Sequence, residues 1–494
     1  MALPPQPIIY EINTRVWLHD LGRKYRRPVT LGTVPEEEWD AVASLGADAL
    51  WLMGIWERSP RGVRIAKSSQ GLQEEYALAL PDVSPEDVVG SPYSIHRYEV
   101  EEGLGGAAGL TLARDRLSSR GIGLVLDYVP NHVATDHPWV KEHPEYFVQG
   151  NGEDLVRAPY EFYVSGGRIM ACGRDPFFPP WTDTAQLNAF HPDLRKAAVE
   201  TLLKIASLCD GVRCDMAMLF VNAVFEKTWM KRAGARPEEE FWEELIRALR
   251  SRHPGFVFIA ETYWDLEWEL QRQGFDYCYD KRLYDRLIRG DAESLRFHLS
   301  AGLGFQQRLI RFIENHDEPR AASVFPDSRH RAAAVVMATL PGAKLFHEGQ
   351  FEGRRTRLPV QLGRRPAEAV DHELGAFYRK LLSIVRSASI REGEWRLCEI
   401  RGWPDNSTNR NLLAWCWRTH EERVLVVVNA SDQESQGRVK MPWKEPAGRT
   451  WILHDALNGS AYEREGDEMV DPGLFVALEP WGFHVFEPSS LMVS

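Results

Sequence analysis

The chain has 494 residues, 44% hydrophobic and 26% charged, with a formal net charge of -12. That length fits one large domain with smaller attachments. The acidic balance excludes a general nucleic-acid binder, because a polyanion would be repelled. No run of about 18 apolar residues predicts a membrane span. The first residues, MALPPQPIIYEINTRVWL, lack the basic start, apolar stretch and small-residue cleavage site of a secretory leader. The cytoplasm is therefore the expected compartment, and the six cysteines, which lack CxxC spacing, are expected to be reduced and buried.

The first two-thirds of the chain alternates predicted strands and helices. Residues 8–18 (IIYEINTRVWL) read as a first strand, 36–45 as a helix and 47–56 (ADALWLMGIW) as a second strand. A polar insertion over 57–90 precedes a helix at 110–119 and a third strand at 123–130 (GLVLDYVP). After a helix at 193–209, with apolar residues three and four apart, strand four falls at 211–216. Strand five falls at 256–262 (FVFIAET), strand six at 275–279, strand seven at 309–313 and strand eight at 343–347 (AKLFH). Helices are expected between them at 238–250, 266–273, 281–288 and 329–340, and a long amphipathic helix at 370–387 closes the series.

Eight apolar strands alternating with helices predict a (β/α)8 TIM barrel. The rival is an open doubly wound sheet, and no GxGxxG follows an early strand to support it. Residues 131–190, rich in Pro, Gly and aromatics, are too long for an ordinary strand–helix loop and predict a small inserted subdomain after strand 3. From about residue 390 the helical period gives way to short β-type runs (412–417, 424–429, 438–441, 451–453, 483–486), predicting a C-terminal antiparallel β-sandwich. The expected organisation is a catalytic barrel over 1–130 and 191–388, a subdomain over 131–190 and a sandwich over 389–494.

Four stretches place acids and imidazoles at strand ends: DYVPNH (127–132), GVRCD (211–215), IAE (259–261) and ENHD (314–317). The C-terminal ends of parallel strands form the mouth of a barrel, so these groups are expected to converge there. Glycosidic bond cleavage with retention needs one carboxyl as nucleophile and one as acid/base, about 5–5.5 Å apart. Asp215 and Glu261 end adjacent strands, which lie about 4.8 Å apart, and Asp317 faces them from strand seven. Arg213 shares a strand face with Asp215 and is expected to keep it ionised. Glu261, after an apolar run, is expected to hold its proton as an acid does.

Together these stretches resemble the signature regions of the alpha-amylase family, glycoside hydrolase family 13, and the likeness extends over about residues 8–486. The resemblance implies that Asp215 is the nucleophile, Glu261 the acid/base and Asp317 the transition-state stabiliser. It implies that Arg213, His132 and His316 surround the cleaved glucose and that Tyr93 stacks on it. Ser91-Pro92 stands before Tyr93 where the family usually has Gly. Asn131 matches a position that often ligates calcium, but Gln186 stands where the family often has a carboxylate, so no cofactor or required metal is expected. Trp264 is read as a sugar contact or a packing residue, Phe177, Phe178 and Trp181 as subdomain core, and 216–218 as ordinary core. The arginines at 354, 355, 357, 364 and 365 read as a solvated face or a phosphate contact. The implied activity is a retaining hydrolase on α-glucosidic bonds of maltooligosaccharides or related α-glucans, with a transferase or phosphorylase of the same family, or a non-catalytic relative, as alternatives. The sequence carries no reading of oligomeric state.

Overall fold

A computed structural model describes residues 3–326, 328–443 and 447–490. Its centre is a closed, all-parallel barrel of eight strands: β1 (Ile8–Asn13), β2 (Ala49–Met53), β3 (Gly123–Tyr128), β4 (Gly211–Cys214), β5 (Val257–Ala260), β6 (Tyr277–Tyr279), β7 (Leu309–Arg311) and β8 (Ala343–His347). Each strand pairs with its neighbour in chain order, and β8 closes on β1. This is the (β/α)8 TIM barrel that the alternating pattern predicts, and the open-sheet alternative falls away.

The two-residue side-chain period sorts each strand into an outer and an inner face. Ile8, Tyr10 and Ile12 point out against the surrounding helices, while Ile9 joins Ala49, Trp51, Val125, Val257, Ile259, Ile310 and Leu345 inside the barrel. Following the inner parity upward, Ile9 leads to Glu11, Val125 to Asp127, Gly211 to Arg213 and Asp215, and Ile259 to Glu261. The barrel interior thus changes from apolar layers below to a charged layer at the C-terminal mouth.

Two differences from the sequence reading have local causes. The first strand stops at Asn13 rather than running to residue 18. Asn13 caps a helix (Thr14–Tyr25), its side chain accepting from the Val16 N–H, and Val16, Trp17, Leu18 and Leu21 bury one helical face. The polar stretch over 57–90 carries two short helices, Pro60–Ser68 and Gln70–Ala79.

The segment after β3 forms short antiparallel pairs, His132–Ala134 with Thr184–Gln186 and Phe162–Ser165 with Arg168–Ala171. The C-terminal sandwich packs a six-stranded sheet on a three-stranded one. In Leu412–Arg418 the alternation serves two cores: Leu412, Ala414 and Cys416 face the sandwich interior, while Leu413, Trp415 and Trp417 face the barrel's helices. The Trp417 indole N–H donates to the Thr339 carbonyl at 2.7 Å, fastening sandwich to barrel. All six cysteines are free and buried. Among the described residues, no helix is long and apolar enough to cross a membrane.

Candidate active site

The barrel mouth brings Asp215, Glu261, Asp317, Arg213, His316 and Tyr93 into one connected network. Arg213 is fully buried on β4, directly across from Asp127 on β3 and Ile259 on β5. Its Nη1 donates to Asp215 Oδ1 at 2.7 Å and lies 3.4 Å from Asp127 Oδ1. Its Nη2 lies 2.6 Å from Glu261 Oε2, an ion-pair contact in which the N–H bond does not point at the oxygen. A single guanidinium therefore spans both carboxyls that the sequence paired.

Glu261 has two further partners. Its Oε2 accepts the Met216 backbone N–H at 2.7 Å, and its Oε1 accepts the Tyr263 hydroxyl at 2.8 Å. Met216 has φ 45, a left-handed conformation that costs a non-glycine residue energy. That turn, immediately after Asp215, is what aims the amide at Glu261; its neighbours Ala217 and Met218 are buried core as expected.

Burial pushes Glu261 up to about 7 against the pull of Arg213, with Asp215 and Asp317 adding to the rise. Burial likewise raises Asp215 to about 6, opposed by Arg213 and reinforced by Asp127 and Asp317. The guanidinium thus pulls toward the ionised form, as expected of it, while burial pulls the other way and prevails. The order, Glu261 above Asp215, is the one that an acid/base and a nucleophile need.

Across the mouth, the His316 ring lies between two acids. Its Nδ1 is 2.5 Å from Glu11 Oε1, and its Nε2 is 2.9 Å from Asp317 Oδ2 and 2.7 Å from the Tyr93 hydroxyl. The Tyr93 ring stacks on His316 at 5.5 Å, and Trp51 meets it edge-on at 5.4 Å. Asp317 turns a side chain that is 44% exposed toward the open mouth. Partial burial would raise its carboxyl, but the imidazole beside it prevails and holds it at about 2.

His132 is buried under Trp181, with ring centroids 5.0 Å apart, and burial lowers it to about 4, so its ring is neutral. Trp264 is half-buried beside Tyr263, and both Trp264 (φ 63) and Asp265 (φ 62) are left-handed. The Trp264 ring contacts Phe177 at 4.9 Å. Phe177 and Phe178 are not subdomain core: they are 65% and 68% exposed. Buried Asp175 accepts both their amides, at 2.6 and 2.9 Å, and the resulting turn holds the rings outward.

The arginine run after β8 is mostly pinned. Arg364 pairs with Asp82 and Asp87, Arg365 with Asp20 and Glu348, and Arg357 donates to the Asp317 carbonyl at 2.9 Å. At the implied calcium position, Gln186 Nε2 donates to both the side-chain and main-chain oxygens of Asn131, at 2.9 and 3.0 Å. An amide donor faces the oxygens that a calcium ion would need, and among the described residues no group of acids gathers to hold a metal, so these residues do not fit calcium.

Glu11, Asp127 and Tyr263 belong to the network without having been singled out as site residues. For Glu11 and Asp127 a signal existed: each lies on the inner parity of its strand, one step above a barrel-filling apolar residue.

A parallel barrel with three acids and two cations gathered at its C-terminal mouth defines a class of barrel enzymes. No family model matches the chain. It is 26% identical over 435 residues to alpha-amylase MalA of Haloarcula japonica, covering 85% of this chain and 55% of that protein. It is 24% identical over 371 residues to neopullulanase 2 of Thermoactinomyces vulgaris (70% and 57%). The chain thus spans a little over half the length of these curated relatives. A solved maltogenic alpha-amylase, AmyB of Thermotoga neapolitana, superposes with TM-score 0.68 at 18% identity, covering 99% of both chains; at that identity the likeness concerns the fold. Its relatives by sequence are thus alpha-amylases and a neopullulanase, proteins of the family that the four strand-end stretches resemble.

Proposed function

We propose that this protein cleaves α-glucosidic bonds of maltooligosaccharides or related α-glucans with retention, through a covalent glycosyl–Asp215 intermediate. The observation that carries this reading is the single Arg213 guanidinium bridging Asp215 and Glu261, with Asp317 facing them. Asp215 attacks the anomeric carbon as the bond to the leaving sugar breaks, and the Glu261 proton passes to the leaving oxygen. Glu261, now ionised, takes a proton from the incoming water, whose oxygen bonds to the anomeric carbon as the bond to Asp215 breaks. Asp317, His316, His132 and Tyr93 surround the sugar being cleaved. The names of the relatives, amylases and a neopullulanase, support the substrate class.

A second reading, transfer to a sugar hydroxyl instead of water, is favoured by the exposed Phe177 and Phe178 and the half-buried Trp264. Trp264 follows Glu261 by three residues and its ring touches Phe177, and the leaving sugar departs, and an acceptor enters, beside the acid/base. A relative named as a maltosyltransferase, from Picrophilus torridus, is 21% identical over 410 residues, 78% of this chain and 59% of that one. Incubation with one pure maltooligosaccharide decides: products longer than the substrate mean transfer, shorter ones alone mean hydrolysis, and none from any α-glucan sinks both. Stimulation by inorganic phosphate would point to phosphorolysis instead.

No metal enters this mechanism, a reading supported by the Asn131–Gln186 pairing; a chelator is expected to leave activity and melting temperature unchanged. The buried free thiols and acidic charge support a cytoplasmic place, which fractionation of the source cells tests. The barrel (1–130, 191–388), the inserted unit (131–190) and the sandwich (389–494) are proposed as structural units, to be checked by limited proteolysis at their junctions.

A further inference from the structure

We propose that Glu11, at the C-terminal end of β1, is a positioning residue of this site: it fixes the ring orientation of His316 with both nitrogens protonated, and through that ring the carboxylate of Asp317. The inference rests on the α-glucan reading only for its activity measurements.

The argument begins with hydrogen-bond inventory. A neutral imidazole has one N–H and one acceptor nitrogen. Here Nδ1 faces Glu11 Oε1 and Nε2 faces Asp317 Oδ2, and both partners are carboxylate oxygens. Two ring nitrogens on two carboxylates are satisfied together only if each carries a proton. The Tyr93 hydroxyl, 2.7 Å from Nε2, must then accept from the ring. Glu11 is fully buried, and its second oxygen has no hydrogen-bond partner. A buried carboxylate with an unsatisfied oxygen is costly unless a charged neighbour compensates it, and His316 is the cation in contact.

The other groups facing this pair do not supply that charge. His347, paired across β8 with Glu11, is held well below its ordinary value by burial and Arg320, so it is neutral. Arg320 is committed to Glu314. Arg213 is committed to Asp215, Glu261 and Asp127. Tyr93 and Tyr279 are pushed up by burial and stay neutral. Burial alone would strip the His316 proton; Asp317 and Glu11 overcome it and hold the ring well above its ordinary value. A locked imidazolium keeps its Nε2–H shared between Asp317 and the Tyr93 hydroxyl, and so holds the Asp317 carboxylate in one orientation.

The test uses the full chain, with Glu11→Gln keeping the acceptor but not the charge, and Glu11→Asp keeping the charge. Nitrogen-15 NMR of His316, without substrate, is expected to show a ring in the wild type that stays doubly protonated well above the ordinary histidine range. In Glu11→Gln the ring should lose its second proton at lower pH than in the wild type, and kcat/KM should fall about tenfold above that transition with little change in melting temperature. Glu11→Asp should restore the wild-type pH profile in part. A wild-type His316 that titrates near its ordinary value, or superimposable wild-type and Glu11→Gln profiles, overturns the proposal. If Glu11→Gln does not fold, the wild-type NMR titration decides alone. If no α-glucoside is turned over, the functional reading fails while the NMR result still decides the role of Glu11.

Discussion

The two sides of the barrel mouth hold their acids by different means. On the β3–β5 side, Asp127, Asp215 and Glu261 gather around Arg213, whose charge is permanent. On the β7–β1 side, Glu11 and Asp317 gather around His316, whose charge exists only because the acids are there. One guanidinium among three buried carboxylates undercompensates them, and Asp215, Glu261 and Asp127 all rise. One imidazolium beside a half-open carboxylate overcompensates it, and Asp317 falls. The lesson is that charge balance, not residue type, separates an acid that keeps its proton from one that never takes it up.

The comparison breaks most severely at its covalent step. Asp215→Asn should lower kcat by at least about 10^4-fold while leaving the fold intact, because no other carboxylate reaches the same position. Turnover at the wild-type rate would show that the reacting carboxylate lies elsewhere. Next in size is the pivot itself. Arg213→Met leaves Asp127, Asp215 and Glu261 buried without their cation, and removing one partner of such a set destabilises by about 3–5 kcal/mol. Denaturant unfolding reads this. A loss below about 1 kcal/mol would mean the acids take up protons at no cost, and the guanidinium is not what holds them together.

The pH dependence sharpens the contrast. The proposed mechanism requires Asp215 ionised and Glu261 protonated, and the two titrate near 6 and 7 as a linked pair. On the acid side Asp215 takes up a proton and the attacking group is lost. On the alkaline side Glu261 gives up its proton and the acid is lost. The profile of kcat/KM should therefore be a bell with its maximum between about pH 6 and 7. Asp317, held at about 2, contributes no limb in that window. A plateau extending above pH 9 would contradict the assignment of Glu261 as the acid.

Most of the barrel was legible because parallel strands buried on both faces read as continuous apolar runs, and the acids follow them at fixed positions. Asp215, Glu261 and Asp317 were legible for that reason. Glu11 was not: its partner is 305 residues away, and only closure of β8 onto β1 brings them together. The Met216 amide and the Tyr263 hydroxyl were hidden differently, since a backbone N–H has no letter and a tyrosine two residues past Glu261 reads as packing. Phe177 and Phe178 misled because composition reports apolarity but not direction, and it is the hydrogen bonds of Asp175 that turn them outward. In the sandwich, Ala461–Glu465 went unread because its sequence, AYERE, alternates without a strongly apolar face. Leu474–Leu478 (LFVAL) has the opposite fault: it is apolar throughout, but only Leu474, Val476 and Leu478 are buried.

Smaller effects lie around Glu261, where each of the three side chains beyond it can be removed without touching a charge. Tyr263→Phe deletes a hydroxyl that stabilises ionised Glu261, so the alkaline limb should move to higher pH by less than about one unit; movement to lower pH would mean the hydroxyl acts on the protonated form. Trp264→Ala and Phe177→Ala act further out. An aromatic face on the leaving-group side holds a sugar long enough for its hydroxyl to compete with water for the glycosyl–Asp215 bond. Removing either ring should lower the ratio of transfer to hydrolysis by a few-fold, about 1 kcal/mol of lost stacking, with the rate of intermediate formation nearly unchanged. Product ratios at fixed conversion measure this. An unchanged ratio in both variants would assign these two rings to something other than the acceptor and leave water as the partner that resolves the intermediate.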